Sequence, residues 1–264
     1  MTYYLSEIEH QYGPNVHILA DPCLSSWLAK LCSPETFQPS INALVTSLYS
    51  GLLKTAMNVD FPRRRKLLAT RMTAMHPEAP LEADVFETET RVVSVNLARA
   101  GTLPSHVCYD LLNHLLSPAQ IRQDHISASR TTNTRDQVTG TALGGTKIGG
   151  DIENAIVLFP DPMGATGNTI VTALDHYKSA IVGGRPQKLL ALHLIVTPEY
   201  LKTVTQAHPD LVIYAVRLDR GLSSKAVLQS VPGTHWNEER GLNDKHYIVP
   251  GGGGFGEIMN NSFV

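Results

Sequence analysis

Cysteine is scarce in this chain of 264 residues: three only, Cys23, Cys32 and Cys108, scattered too widely for a disulfide framework or a thiolate metal cage. Charged residues are also few, at 17 % against the roughly 25 % usual in globular chains. The formal net charge of −2 supplies no field that would draw in nucleic acid or an anionic membrane. Long apolar runs are missing as well: nothing approaches the about 18 residues of a membrane span, and residues 1–13 are mixed polar with no signal-like block. The eleven histidines are dispersed without metal-ligand spacing, and His106 and His125 read as surface or core residues. What remains is a hydrophobic share of 42 %, enough to offset the ordering entropy of a folded core. The expectation is a soluble, cytoplasmic protein with neither nucleic acid nor membrane as partner.

The chain alternates. Ser33-Pro34-Glu35 has the form of a helix start, and Leu44, Leu48, Leu52 and Ala56 recur every four residues along one helical face. From about residue 84, short apolar runs at 92–95, 155–159, 189–196 and 211–216 read as buried strands, separated by helix-like stretches at 105–115, 169–181 and 198–207. Such alternation predicts a parallel, doubly wound sheet with helices on both faces, whose ligands bind beyond the carboxyl ends of the strands. Residues 127–150, rich in Thr, Ser and Gly, read as a long loop that is either a functional lid or disordered, and 221–240 as an insertion or partner surface. The basic run Arg63-Arg64-Arg65-Lys66 after Pro62 reads as a solvated helix start, and Cys108 as a packed thiol.

One motif carries chemistry. The run 155–160 leads into Asp161-Pro162-Met163-Gly164-Ala165-Thr166-Gly167-Asn168-Thr169 and then a helix. A buried strand, an acidic residue at its carboxyl end and a small-residue turn opening a helix suit a phosphorylated sugar. The N–H groups of 165–169 are donors at a helix N-terminus, where the dipole also favours an anion. Thr166 and Thr169 add hydroxyls, Gly167 permits close approach, and the Asp161 carboxylate suits a pair of ribose hydroxyls. Neither the P-loop lysine nor the G-x-G-x-x-G spacing of a dinucleotide site is present.

This motif closely resembles the phosphoribosyl-pyrophosphate (PRPP) loop of the uracil phosphoribosyltransferase family. Arg99-Ala100-Gly101 is similar to the family's pyrophosphate loop, Ala207-His208-Pro209-Asp210 to the segment before its last core strand, and 242–251 to its uracil-binding stretch. Val16-His17, Asp21-Pro22 and Glu35-Thr36 resemble its amino-terminal arm. The resemblance implies a type I phosphoribosyltransferase fold in one domain: a helical arm at 1–60, core sheet at 84–218, flexible lid at 127–150, and an insertion with a base-binding hood at 219–264. It implies a glycosyltransferase that joins uracil to PRPP, giving UMP and pyrophosphate, with Mg2+ carried in by PRPP rather than held by protein side chains. Arg99, Arg130 and Asp161 take the catalytic roles by this resemblance, with Arg135 a substitute for Arg130, and Asp161 to Thr169 bind the ribose and its phosphate. The base falls to backbone groups of Ile248 and Gly253, beside Gly254, with Tyr247 or Phe255 against the ring. A homodimer or larger homo-oligomer follows from the resemblance too, as does the GTP response of some relatives.

The chain departs from the family at one functional position. Where the family reads Pro-Gly-x-Gly-Asp-x-Gly-Asp, this chain reads Pro250-Gly251-Gly252-Gly253-Gly254-Phe255-Gly256-Glu257, so the first aspartate becomes Gly254. Two alternatives therefore stand beside the uracil enzyme: a non-catalytic PRPP or nucleotide binder, and a transferase for another base.

Overall fold

The computed structural model describes residues 3–132, 138–180 and 184–263; the side chains of 128–132 and 138–143 lie outside that description. The chain begins with β1 (Val16–Ile18), α1 (Pro22–Leu31) and α2 (Ser40–Asp60). The Asp21 carboxylate caps α1 by accepting the N–H groups of Cys23 and Leu24 at 2.9 and 3.0 Å, with Pro22 at the first helical position. The expected helix start at Ser33-Pro34-Glu35 is instead a turn, closed by the Thr36 N–H on the Ser33 carbonyl at 3.1 Å. Pro39 disfavours helical geometry at Gln38, and α2 begins just after it, at Ser40. Its predicted face packs inward: Leu48, Leu52 and Ala56 are fully buried and Leu44 half-buried.

After α2 the chain forms an antiparallel ribbon of β2 (Arg63–Leu68) and β3 (Leu81–Phe86). The basic run is thus a strand and not a helix start. Cross-strand charge explains it: Arg65 donates to both carboxylate oxygens of Glu82, and Arg64 pairs with Glu87 at 2.9 Å.

The remainder alternates as expected: β4 (Val92–Ala98), α3 (Thr102–Leu115), β5 (Ile121–Thr132), β6 (Val138–Lys147), β7 (Ile156–Pro160), β8 (Met163–Gly164), α4 (Asn168–Ala180), β9 (Lys188–Val196), α5 (Pro198–Ala207), β10 (Leu211–Leu218), and two short helices, α6 (Lys225–Leu228) and α7 (Phe255–Ile258). Among the described residues one sheet runs β1-β10-β9-β7-β4-β5-β6, with β8 also paired to β9. Every pairing in it is parallel except β5 with β6. Successive strand residues feed opposite layers. Val92, Leu158, Leu192 and Tyr214 face α1, α2 and α3, whereas Val93, Val157, Ala191 and Ile213 face α4 and α5.

Residues 127–150, expected as a loop, carry the end of β5 and all of β6 as an antiparallel hairpin. The threonines, which favour strands, outweigh the glycines here; the tip, 133–137 with Arg135, lies outside the described residues. The sheet also reaches beyond 84–218, because β1 forms its edge against β10. The 221–240 stretch is tied to the body through buried Glu239, which accepts from Arg220 at 2.9 Å, from the Gly233 N–H at 2.8 Å and from the Tyr12 hydroxyl. Among the described residues no helix is long and apolar enough to cross a membrane.

Candidate functional site

The carboxyl ends of β4 and β7, the N-terminus of α4 and the 246–257 stretch surround a cleft of about 570 Å³. Of the residues singled out in the sequence, Arg99, Asp161, Met163, Ala165 to Thr169, Ile248, Gly253, Gly254, Phe255 and Tyr247 line it. Pro162 and Gly164 do not. They fasten the turn from behind: the Pro162 carbonyl accepts from the N–H groups of Leu194 and Ile195, both at 3.1 Å, and Gly164 pairs in β8 with Val196. Arg130 lies in β5, and the direction of its side chain falls outside the description.

The turn before α4 is held from three sides. Buried Thr197 donates its hydroxyl to the Ala165 carbonyl at 2.6 Å and its N–H to the Gly164 carbonyl at 3.0 Å, while capping α5 by accepting the Tyr200 N–H. Gly167 has φ +85°, and a Cβ there would lie 3.0 Å from both Thr203 and Val204 on α5. Both the handedness and the space demand glycine. The N–H groups at the start of α4 thereby open into the cleft beside Asp161.

Behind Asp161 sits a fully buried histidine that spacing alone did not single out. His193 Nδ1 meets the Asp161 carbonyl and its Nε2 meets the Tyr200 hydroxyl. Burial pulls the ring down to about 4, partly opposed by the bond to the Asp161 carbonyl. The ring is therefore neutral near pH 7. With a carbonyl at Nδ1, that nitrogen carries the proton, so the Tyr200 O–H must donate to Nε2. Burial, with the Asp161 charge, drives the Tyr200 phenol upward, which keeps it a donor. The signal for His193 was a polar residue inside the apolar run Leu189–Val196, where burial without a partner is costly.

Arg99 follows β4 directly. Its guanidinium donates to the Ser262 carbonyl and hydroxyl, both at 3.1 Å, and to Glu257 at 3.2 Å. Glu257 also lines the cleft, and the sequence reading assigned it no role.

The opposite wall is built from backbone. Leu242 and Ile248 face each other in an antiparallel bridge, flanked by bonds from the Val249 N–H to the Gly241 carbonyl at 2.8 Å and from the Asn243 N–H to the Tyr247 carbonyl at 3.0 Å. In such a pair the N–H and C=O of the central residue point away from the partner strand. Ile248 therefore presents its own donor and acceptor on the other side, and it lines the cleft. The glycine run beyond it is anchored to the end of β10. Asp219, 2 % exposed, accepts both arms of Arg217 at 2.6 and 2.7 Å together with the Gly251 N–H at 2.8 Å, and Arg217 returns a bond to the Gly251 carbonyl at 2.8 Å. Tyr247 is half exposed on this wall, whereas Phe255 is buried beneath it.

Comparison with known proteins agrees with this geometry. Residues 18–235 match the family described as “Uracil phosphoribosyltransferase”. A protein of that name from Variovorax paradoxus (strain S110) is 29 % identical over 223 residues, 83 % of this chain and 93 % of its own. One from Brucella ovis is 28 % identical over 244 residues, 92 % of this chain and 97 % of its own. Among solved structures, the AQ2163 protein from Aquifex aeolicus shares the fold with a TM-score of 0.70 at 21 % identity, covering 94 % of this chain and 99 % of that one.

Proposed function

Since this chain belongs to the uracil phosphoribosyltransferase family, and is a phosphoribosyl-transferring glycosyltransferase, we propose that it joins uracil to PRPP to give UMP and pyrophosphate. One observation carries the proposal: a phosphate-type turn and an outward-facing backbone donor–acceptor pair stand across the same cleft. In this reading the N–H groups of 165–169 and the hydroxyls of Thr166 and Thr169 receive the 5′-phosphate, and Asp161 receives the ribose hydroxyls. Arg99 holds the diphosphate, joined by Arg130 from β5.

As the C1′–diphosphate bond breaks, its electron pair leaves with pyrophosphate and C1′ gains cationic character; N1 of the base then forms the new bond, and its proton passes to the departing pyrophosphate. The site contributes positioning and electrostatics rather than acid–base turnover. Carboxylate oxygens are hard donors suited to Mg2+, and an ion carried in on PRPP would meet the carboxylate of Asp161, which faces the cleft. When bound with PRPP, the ion would neutralise charge on the departing diphosphate. Ile248 and Gly253 would read the base edge. Cytosine would set its amino group against the Ile248 N–H, leaving two donors unpaired. The expected assembly is a homo-oligomer.

The test is product analysis with PRPP, Mg2+ and a panel of uracil, cytosine, adenine, guanine and hypoxanthine. UMP from uracil alone supports the proposal, and a nucleotide from another base replaces uracil as the acceptor. Gly254 favours a second reading, a binder without turnover. Tight PRPP binding with no pyrophosphate released from any base would establish that reading instead.

A further inference from the structure

Position 254 lacks the carboxylate that would stand between sugar and base, yet the space above it is not vacant. A Cβ placed on Gly254 would fall inside the Glu257 carboxylate, 2.8 Å from its Cδ. The Glu257 side chain thus folds back one helical turn and lies where a side chain at 254 would begin. It lines the cleft alongside Gly253, Gly254 and Arg99, and the Arg99 guanidinium holds it at 3.2 Å. That guanidinium is fixed in turn by Ser262 through two bonds of 3.1 Å. Glycine at 254 and glutamate at 257 are therefore one arrangement: any side chain at 254 must evict the carboxylate.

We propose that Glu257 supplies the carboxylate missing at 254, facing the ribose carbon as pyrophosphate departs and stabilising the positive charge that develops there; this rests on the transferase reading above. Glu257 stands where the family pattern has its second aspartate, so the one carboxylate kept in this stretch takes over the part of the one lost at 254. A local structural role is also available to Glu257, since it occupies the third position of α7 with Gly254 as N-cap, the place from which Glu or Gln reaches back to cap a helix. Glutamine keeps the shape and that capping ability while removing the charge, so Glu257→Gln separates the two roles.

The experiment measures UMP formation at saturating uracil and PRPP, with thermal melting of each variant. Glu257→Gln is expected to lower kcat by about 100-fold, the scale of losing one preorganised electrostatic contact, with KM for PRPP moving less than about fivefold and melting unchanged. Returning the charge in the double variant Glu257→Gln/Gly254→Asp is expected to recover at least about tenfold of that loss. Gly254→Ala should lower kcat in the native background, by displacing the carboxylate, and add nothing once Glu257→Gln is present.

An active native enzyme whose Glu257→Gln variant keeps kcat within about threefold overturns this inference and leaves the transferase reading standing. Additive losses from Gly254→Ala and Glu257→Gln overturn it as well, including where the double variant with aspartate fails to fold. A native chain inactive with every base, yet binding PRPP, overturns both.

Discussion

Asp161 and His193 divide the work at the turn, one by charge and the other by staying neutral. Asp161→Asn retains shape and loses the acceptor-only carboxylate, so PRPP should bind about 10- to 100-fold more weakly, the worth of a charge-assisted hydrogen bond. The melting midpoint should stay close to native. Calorimetric titration with PRPP reads this, and undiminished affinity would remove the ribose role from Asp161. For His193, burial holds the folded ring near 4, below the 6.5 of an exposed imidazole. As pH falls through that window the unfolded chain takes up the proton first, so stability present above 6.5 drains away towards 4. The full span amounts to about 3 kcal/mol. Melting curves from pH 7 to pH 4.5 should show a steeper fall for the native protein than for His193→Asn, and equal slopes would contradict the buried neutral ring. Tyr200→Phe would leave Nε2 of His193 buried without its donor, at a cost of about 1–3 kcal/mol.

Elements show what sequence patterns can and cannot convey. Apolar runs at 92–95, 155–159, 189–196 and 211–216 became β4, β7, β9 and β10 because strands buried on both faces must be apolar throughout. The helix 198–207 was legible to the residue, since Thr197 caps it and Pro198 opens it. Two signals misled. Arg63 to Lys66 forms a strand because its partners, Glu82 and Glu87, come from a distant segment that no local pattern announces. Ser33-Pro34 resembled a helix start, but Pro39 moves the helix to Ser40.

The same division holds at the site. The turn 161–169 is contiguous and could be read directly. Glu257, His193 and Asp219 act through contacts with residues far apart in sequence, so their partners are revealed only by the folded chain. Asp219 gives the element-scale prediction. Asp219→Asn weakens the anchor of the glycine run, so KM for uracil should rise by about tenfold or more while PRPP affinity holds. Equal losses for both ligands would mean that the two walls of the cleft are not independently built.

At the scale of the whole molecule, the β2–β3 ribbon does not pair with the main sheet, and Leu67 and Leu81 on it, with Met72 and Met75 in the connection between its strands, are exposed. Exposed apolar side chains on one hairpin suit burial against a second copy, in keeping with the proposed homo-oligomer. Sedimentation of the native chain should give a multiple of the monomer mass, and Leu67→Lys with Met75→Lys should lower it. An unchanged mass would place any interface elsewhere.

In the proposed function one cleft holds the sugar phosphate on the 161–169 turn and the base on the backbone near Ile248. Hydrogen–deuterium exchange with and without UMP, a ligand that spans both walls, tests it most directly. Amides of 165–169 and of 246–254 should become protected together at the same ligand concentration. Protection confined to another surface, or to one wall alone, would contradict the account.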